Sequence, residues 1–265
     1  MWSDPHPVFR KRVLRRYVGL WRQRGLAHVA NLLVAPKPRI YARTMDISLQ
    51  YVGPVGLVTW NEGENRVNLD SLQRLNEVLD ELEAMDGPLA LVLTGQGKFF
   101  SNGLDLERFG ANPAEFVATL DDLNRTIGRL LLFPAYTVAA LNGHTFAAGA
   151  LLSCSFDYRV MREDRGYWCM NEAEIGLALD RRLWTILSNR LSRQSAIIAA
   201  TTAHRFSGPD ALAHGIVEAV ASEDALVSHA IDVASTYASL DRAILGEHKR
   251  LIQGDVATYL GFTPT

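Results

Sequence analysis

The chain has 265 residues, 48% of them hydrophobic, and a formal charge of −2 at pH 7, enough for one large domain with a full core. That balance hides an asymmetry: residues 1–45 hold ten Lys/Arg against the single acid Asp4, leaving 17 basic and 28 acidic groups in the rest. An acidic body with no basic stripe to replace counterions excludes nucleic acid as its ligand, and no run approaches the roughly 18 apolar residues of a membrane span.

In the N-terminal arm, Val13, Tyr17, Leu20 and Trp21 recur at helical spacing among arginines. Three readings stay open there: a basic amphipathic helix that contacts an anionic membrane surface or a partner, an Arg-rich and acid-poor targeting segment, and a stretch upstream of a start at Met45. Pro36-Lys37-Pro38 marks a linker. Val55 to Trp60 then reads as a strand. Leu72, Leu75, Leu79 and Leu82 form one face of a helix opened by Asp70 or Ser71, and Leu89 to Thr94 is a buried strand. Ala114 to Leu132 is a helix that ends before Pro134, and Tyr136 to Leu141 is the next strand. Beyond Ser207-Gly208-Pro209 the pattern is almost wholly helical, with Ala225 to Leu240 and Asp241 to Leu260 as its long members. Strands alternating with helices predict an α/β fold with the site in the loops at strand ends. Cys154 and Cys169 lie in apolar segments, which suits a reducing compartment. The expected location is cytoplasmic, or organellar if the arm is a targeting segment.

Two loops of small residues follow buried strands. The first is Phe100-Ser101-Asn102-Gly103-Leu104-Asp105-Leu106, after the turn Gly95-Gln96-Gly97. The second is Asn142-Gly143-His144-Thr145-Phe146-Ala147-Ala148-Gly149-Ala150-Leu151. Small residues let a ligand approach the main chain, and each loop can offer one unpaired N–H to the same oxygen. Further on stands a carboxylate in Asn171-Glu172-Ala173-Glu174-Ile175-Gly176, behind the apolar run Tyr167 to Met170.

These two loops and the glutamate segment, in this order and spacing, resemble the crotonase (enoyl-CoA hydratase/isomerase) superfamily over residues 46–255, and within it the Δ3-Δ2-enoyl-CoA isomerases. The resemblance implies a spiral of ββα units over 46–206 and a C-terminal helical region over 207–265, which covers the acyl site and packs into a homotrimer or a dimer of trimers. It implies an acyl-CoA thioester whose oxygen sits between the N–H groups of Leu104 and Ala148, with Gly149 beside them. Ser101, Asn102 and Gly103 would touch the adenine and pantetheine of coenzyme A, and Asp105 would hold that loop's geometry. Asn171 would contact the acyl chain or thioester, or cap a turn. Coenzyme A is then part of the substrate, and neither a separate cofactor nor a metal is expected. The superfamily's hydratases have two glutamates, since adding water needs one group to orient it and another to manage the proton. The first position falls here at Leu151 and the second at Glu172. One remaining acid implies an isomerase of unsaturated fatty-acid oxidation, with Glu172 carrying a proton from C2 to C4.

Asp180, eight residues after Glu172, resembles the second acid of the dienoyl-CoA isomerases, although it equally suits the N-cap of a helix from Arg181 to Leu191. A hydratase-like enzyme and a non-catalytic acyl-CoA-binding protein are the further alternatives. For Glu172 the apolar residues Phe146, Leu151 and Trp168 could lift the pKa. Glu174, two residues on, reads as structural, and Asp157 and Arg159 as a structural pair. The seven histidines show no paired metal spacing. The chain has neither a G-x-S-x-G elbow nor a P-loop, and Gly95-Gln96-Gly97 is too short for a dinucleotide fingerprint.

Overall fold

A computed structural model describes residues 46–263; the arm, with the helix and targeting readings placed on it, lies outside the described residues. The hairpin β1 (Ile47–Val52) and β2 (Val55–Trp60) begins a six-stranded sheet. It continues with β3 (Ala90–Gly95), β5 (Tyr136–Leu141), β7 (Tyr158–Arg162) and β9 (Ala219–Ala221) in the order β1-β2-β3-β5-β7-β9. β1 and β2 are antiparallel, and every later pairing in the sheet is parallel. Every residue of β3 is buried, as a parallel strand covered on both faces requires.

A second sheet holds the short parallel strands β4 (Phe99–Ser101), β6 (His144–Phe146) and β8 (Trp168–Cys169), in that order. The chain therefore repeats one unit: a strand in the large sheet, a strand in the small sheet, then a helix. After β4 come α2 (Leu106–Ala111) and α3 (Pro113–Leu131), after β6 comes α4 (Ala148–Ser153), and after β8 comes α5 (Glu172–Ile175). This is the ββα repetition that the resemblance implied.

The helix α1 (Leu69–Glu83) buries Leu72, Leu75, Val78, Leu79 and Leu82, the expected face and one further residue. Its opening residue is corrected. Asn68 is the N-cap, accepting from the Ser71 amide at 3.0 Å while the Ser71 hydroxyl accepts from the Asn68 amide at 3.0 Å, a reciprocal box of the kind that satisfies two orphan donors. Downstream lie α6 (Arg181–Arg190), α7 (Arg193–Thr202), α8 (Gly208–Ala213), α9 (Leu226–Tyr237) and α10 (Arg242–Tyr259). The expectation of an almost wholly helical tail missed β9, a three-residue strand whose pattern is too short to register. Leu226, Ala230, Ala234 and Ala238 of α9 and its C-cap cover one face of the large sheet against Val92, Val138 and Val160. The other face shares its core with α1, α3 and the small sheet. No helix among the described residues is long and apolar enough to cross a membrane.

Asp157 and Arg159 do not pair with each other, contrary to expectation. Asp157 lies just before β7 and Arg159 within it, and each is engaged by groups distant in the chain. Arg159 is bound by Glu218 and by the carbonyl of Ile216 at 2.7 Å, which ties β7 to the chain entering β9. Asp157 accepts from Lys249 Nζ at 2.5 Å and from the amide and hydroxyl of Thr137, both at 2.9 Å. Lys249 is 6% exposed and also donates to the carbonyl of Ala135 at 2.8 Å, so it pins α10 to the start of β5. Lys249→Met leaves the partly buried Asp157 carboxylate without its cation. It is expected to lower unfolding free energy by about 2 kcal/mol, read in urea titrations as a lower midpoint at unchanged slope.

Candidate active site

Three strand ends of the small sheet converge. β4 runs on into Asn102 to Leu104, β6 into Ala147 and Ala148, and β8 into Met170 to Glu172. Two glycines bring the first two together. A Cβ on Gly103 would lie 3.0 Å from the Ala147 Cβ, 3.0 Å from the Phe146 carbonyl oxygen and 3.5 Å from the Ala148 nitrogen, and its φ of +80° favours glycine. A Cβ on Gly149 would lie 2.6 Å from the Ser101 Cβ, so the start of α4 packs directly on the first loop. Ser101 and Gly103 thus lie against Ala147, Ala148 and Gly149.

Both candidate donors are free. No acceptor among the described residues takes the N–H of Leu104 or Ala148. Ala147, the N-cap of α4, has φ 50° and ψ −115°, a region that β-carbon sterics disfavour. Such strain costs on the order of 1–3 kcal/mol where surrounding structure enforces it. Here the enforcement is visible: the Ala147 amide is held by the Cys169 carbonyl at 2.9 Å, and the turn leaves the Ala148 amide for something else.

The first loop is stitched to the segment between β2 and α1. Asn102 N donates to the Glu64 carbonyl at 2.9 Å, Val67 N to Gly103 O at 2.8 Å, and Asp105 N to Val67 O at 3.0 Å, a parallel bridge pairing Val67 with Leu104. The Ser101 hydroxyl donates to Asn65 O at 2.7 Å. The Asp105 side chain caps α2 through the Arg108 amide at 3.2 Å, and Asn68 reaches it at 3.4 Å, so its loop-holding role is physical. Asn102 points its amide at the Glu64 carboxylate, 2.8 Å away.

Sequence reasoning missed Asn65. Fully buried with φ 50°, it donates to the carbonyls of Trp60, Phe99 and Phe100 and so joins β2 to β4. The signal was there in Asn61-Glu62-Gly63-Glu64-Asn65, a turn-rich run after a strand that contains a residue tolerant of positive φ.

Glu172 begins α5 and is 7% exposed; no group among the described residues bonds its Oε2. Burial pushes its carboxyl up from the usual 4.5 to about 7, against a weaker pull from its own backbone N–H. Leu151 is 1% exposed and Trp168 fully buried, whereas Phe146 is half-buried. Asn171 is the N-cap of α5 but makes no side-chain cap bond, and its buried Oδ1 has no partner among the described residues. Glu174 is exposed and pairs with Arg205 at 2.9 Å.

Asp180 is the N-cap of α6: its Oδ1 accepts from Leu183 N at 2.9 Å, and its Oδ2 lies 3.5 Å from Arg182, which in turn binds Asp121 at 2.8 Å. Among the described residues there is no group of three or more His, Cys, Asp or Glu that could hold a metal ion.

Comparison with known proteins places the chain in a family. The enoyl-CoA hydratase/isomerase family model matches residues 54–257. A relative in Arabidopsis thaliana, peroxisomal enoyl-CoA delta isomerase 2, is 31% identical over 192 residues, 68% of this chain and 80% of that protein. Peroxisomal enoyl-CoA delta isomerase 1 of the same organism is 33% identical over 137 residues, 51% of this chain and 57% of that protein. The crystal structure of a probable enoyl-CoA hydratase, EchA3 of Mycobacterium tuberculosis, superposes with a TM-score of 0.76 at 28% identity, over 81% of this chain and 91% of that one. These names divide between hydratase and isomerase, so the residues must decide.

The raised pKa of Glu172 carries a sign. Between about 4.5 and 7 the folded chain holds a proton that the unfolded chain has released, so Glu172 makes stability fall as pH rises through that window. In Glu172→Gln this dependence is gone. The unfolding free energy of the variant minus that of the wild type should therefore grow by about 3 kcal/mol from below pH 4.5 to above pH 7 in denaturant titrations at several pH values. A difference independent of pH would refute the buried, elevated carboxyl.

Proposed function

The chain belongs to the enoyl-CoA hydratase/isomerase family, and on that premise we propose that it is a Δ3-Δ2-enoyl-CoA isomerase-like enzyme. The observation that carries this reading is the one buried carboxylate among the described residues: Glu172 is present with a pKa of about 7, and the position where the resemblance puts a second acid is the buried Leu151. A hydratase must hold and activate water, which a leucine side chain has no group to do.

The reaction then needs only two kinds of group. The Glu172 carboxylate takes a proton from C2 of a 3-enoyl thioester. The electrons of that C–H bond move toward the carbonyl, giving a dienolate whose oxygen is stabilised by the N–H groups of Leu104 and Ala148, each such donor supplying roughly 3–4 kcal/mol. The carbonyl re-forms, the dienolate electrons shift to place the double bond at C2–C3, and C4 takes the proton back from Glu172. Nothing is oxidised, no water is consumed and the carboxylate is regenerated. The fixed loops support this, because donors already aimed need no reorganisation as charge develops.

The dienoyl reading, with Asp180 as a second acid, is less well supported. Its carboxylate is already engaged, by the α6 cap and by Arg182.

Turnover is followed as appearance of the conjugated 2-enoyl thioester from a 3-enoyl-CoA. Glu172→Gln should reduce kcat roughly 10²–10⁴-fold, the usual worth of a positioned base, with acyl-CoA affinity largely kept. The wild-type rate should rise tenfold per pH unit below about 7 and level off above it, because only the ionised base works. Full turnover in the variant would sink the proposal. Asp180→Asn should leave the rate within a factor of about three, and a large loss there would instead favour dienoyl-CoA isomerisation.

A further inference from the structure

The strand order gives the site a direction. Across the small sheet the ends run Leu104, Ala148, Glu172, following β4, β6 and β8. Outside Leu104 lies residues 64–67, through the Val67–Leu104 bridge. A thioester whose oxygen lies between the middle two donors, and whose C2 faces Glu172, sends its sulfur toward the other end of this row. The carrier arm therefore leaves over residues 64–67 and Asn102.

The charges on that route are unusual for a mouth that admits a polyanion. Arg66 donates through Nε to the Glu64 carboxylate at 2.8 Å, lies 2.7 Å from it through a terminal nitrogen, and stands 3.6 Å from both Asp105 and Glu107. One guanidinium is thus held among three carboxylates. Glu64 is fixed in place by Asn102 on its other side. Burial pushes its carboxyl up, but the hydrogen bonds from Asn102 and Arg66 and the charges of Arg66 and Lys98 outweigh it and hold the group below its usual value. Glu64 is therefore ionised at neutral pH and bonded to the cation that a phosphate would seek. Guanidinium forks bind phosphate and carboxylate by the same bidentate geometry, so the two compete.

Resting on the acyl-thioester reading of the site, we propose that Glu64 is a specificity-determining residue for the carrier half of the substrate: as the resident partner of Arg66 it competes with the carrier's phosphates and weakens the preference for carriers that bear them. A phosphate must displace Glu64 before Arg66 can bind it, and the displaced carboxylate stays nearby and repels. A pantetheine thioester without phosphates meets neither effect.

The test compares dissociation constants, by calorimetry, for a saturated acyl-CoA and the matching acyl-pantetheine thioester, neither of which requires turnover. Glu64→Gln keeps an acceptor for Asn102 but no charge. It should raise the preference for the CoA thioester over the pantetheine thioester roughly threefold to tenfold, and adding Arg66→Gln should abolish that gain, since the two residues act as one pair. Glu107→Gln removes an 89% exposed carboxylate facing the same guanidinium and should shift the preference the same way by less, with no risk to the loop. If the wild type binds both thioesters and neither Glu64→Gln nor Glu107→Gln changes their ratio, the carrier proposal is wrong and the acyl-thioester reading stands. If the wild type binds neither, that reading fails and the proposal falls with it.

Discussion

The site depends on how closely two backbone segments approach at Gly149 and Ser101. With 2.6 Å between a hypothetical Cβ on Gly149 and the Ser101 Cβ, no larger residue fits between the start of α4 and the loop after β4. Real side-chain carbons do not tolerate such a separation, and packed interiors transmit the resulting strain rather than absorb it. The approach at Gly103 does the same one step along. Together they set the spacing of the two free amides, and the bond from Ala147 N to Cys169 O carries the geometry across to the strand that leads to Glu172. The parallel bonding of three short strands and the stitching of residues 64–67, with the side chains of Asn65 and Ser101 in it, hold the arrangement.

Placing an ionisable group in that frame conflicts with stability. Glu172 is buried, with one carboxylate oxygen unbonded among the described residues, a state that native structures seldom tolerate without a functional reason. Ala147 adds a strained backbone at the same place. Elsewhere buried charges are matched: Arg159 by Glu218 and two carbonyls, and Lys249 by Asp157 and the Ala135 carbonyl. That contrast separates Glu172 from these structural charges more clearly than its location does.

Much of this was legible in the sequence where the signal is periodic or local. The leucine face of α1, the fully apolar β3 and the Asp180 cap each follow from a pattern within one element, and the structure has them. The small-residue loops flagged the close approach because only glycine and alanine permit it. What stayed hidden was pairwise and distant. Asp157 and Arg159 look like partners by proximity in the chain, yet their partners stand at 249 and 218, brought in by helices and strands whose docking no window reveals. Asn65 was obscured for the same reason, since its role appears only when β2 and β4 lie side by side. β9 is three residues long, shorter than any pattern that separates strand from loop.

On the isomerase reading, the replacement of an acid by Leu151 and the pKa of Glu172 are two aspects of one requirement. Leu151 sits one helical turn after Ala148, its amide bonded to Ala147 O at 3.0 Å, and is 1% exposed. A second carboxylate there would add like charge to a buried site and would hold a water able to attack the double bond. An aliphatic side chain does neither. The remaining carboxylate must then remove a proton in one half of the reaction and return it in the other. An acid of ordinary strength is too weak a base for the first step at neutral pH, while a much weaker acid would be mostly protonated before substrate arrived. Near pH 7 a pKa of about 7 balances the two halves, and burial without a partner, which costs the fold stability, is what sets it there.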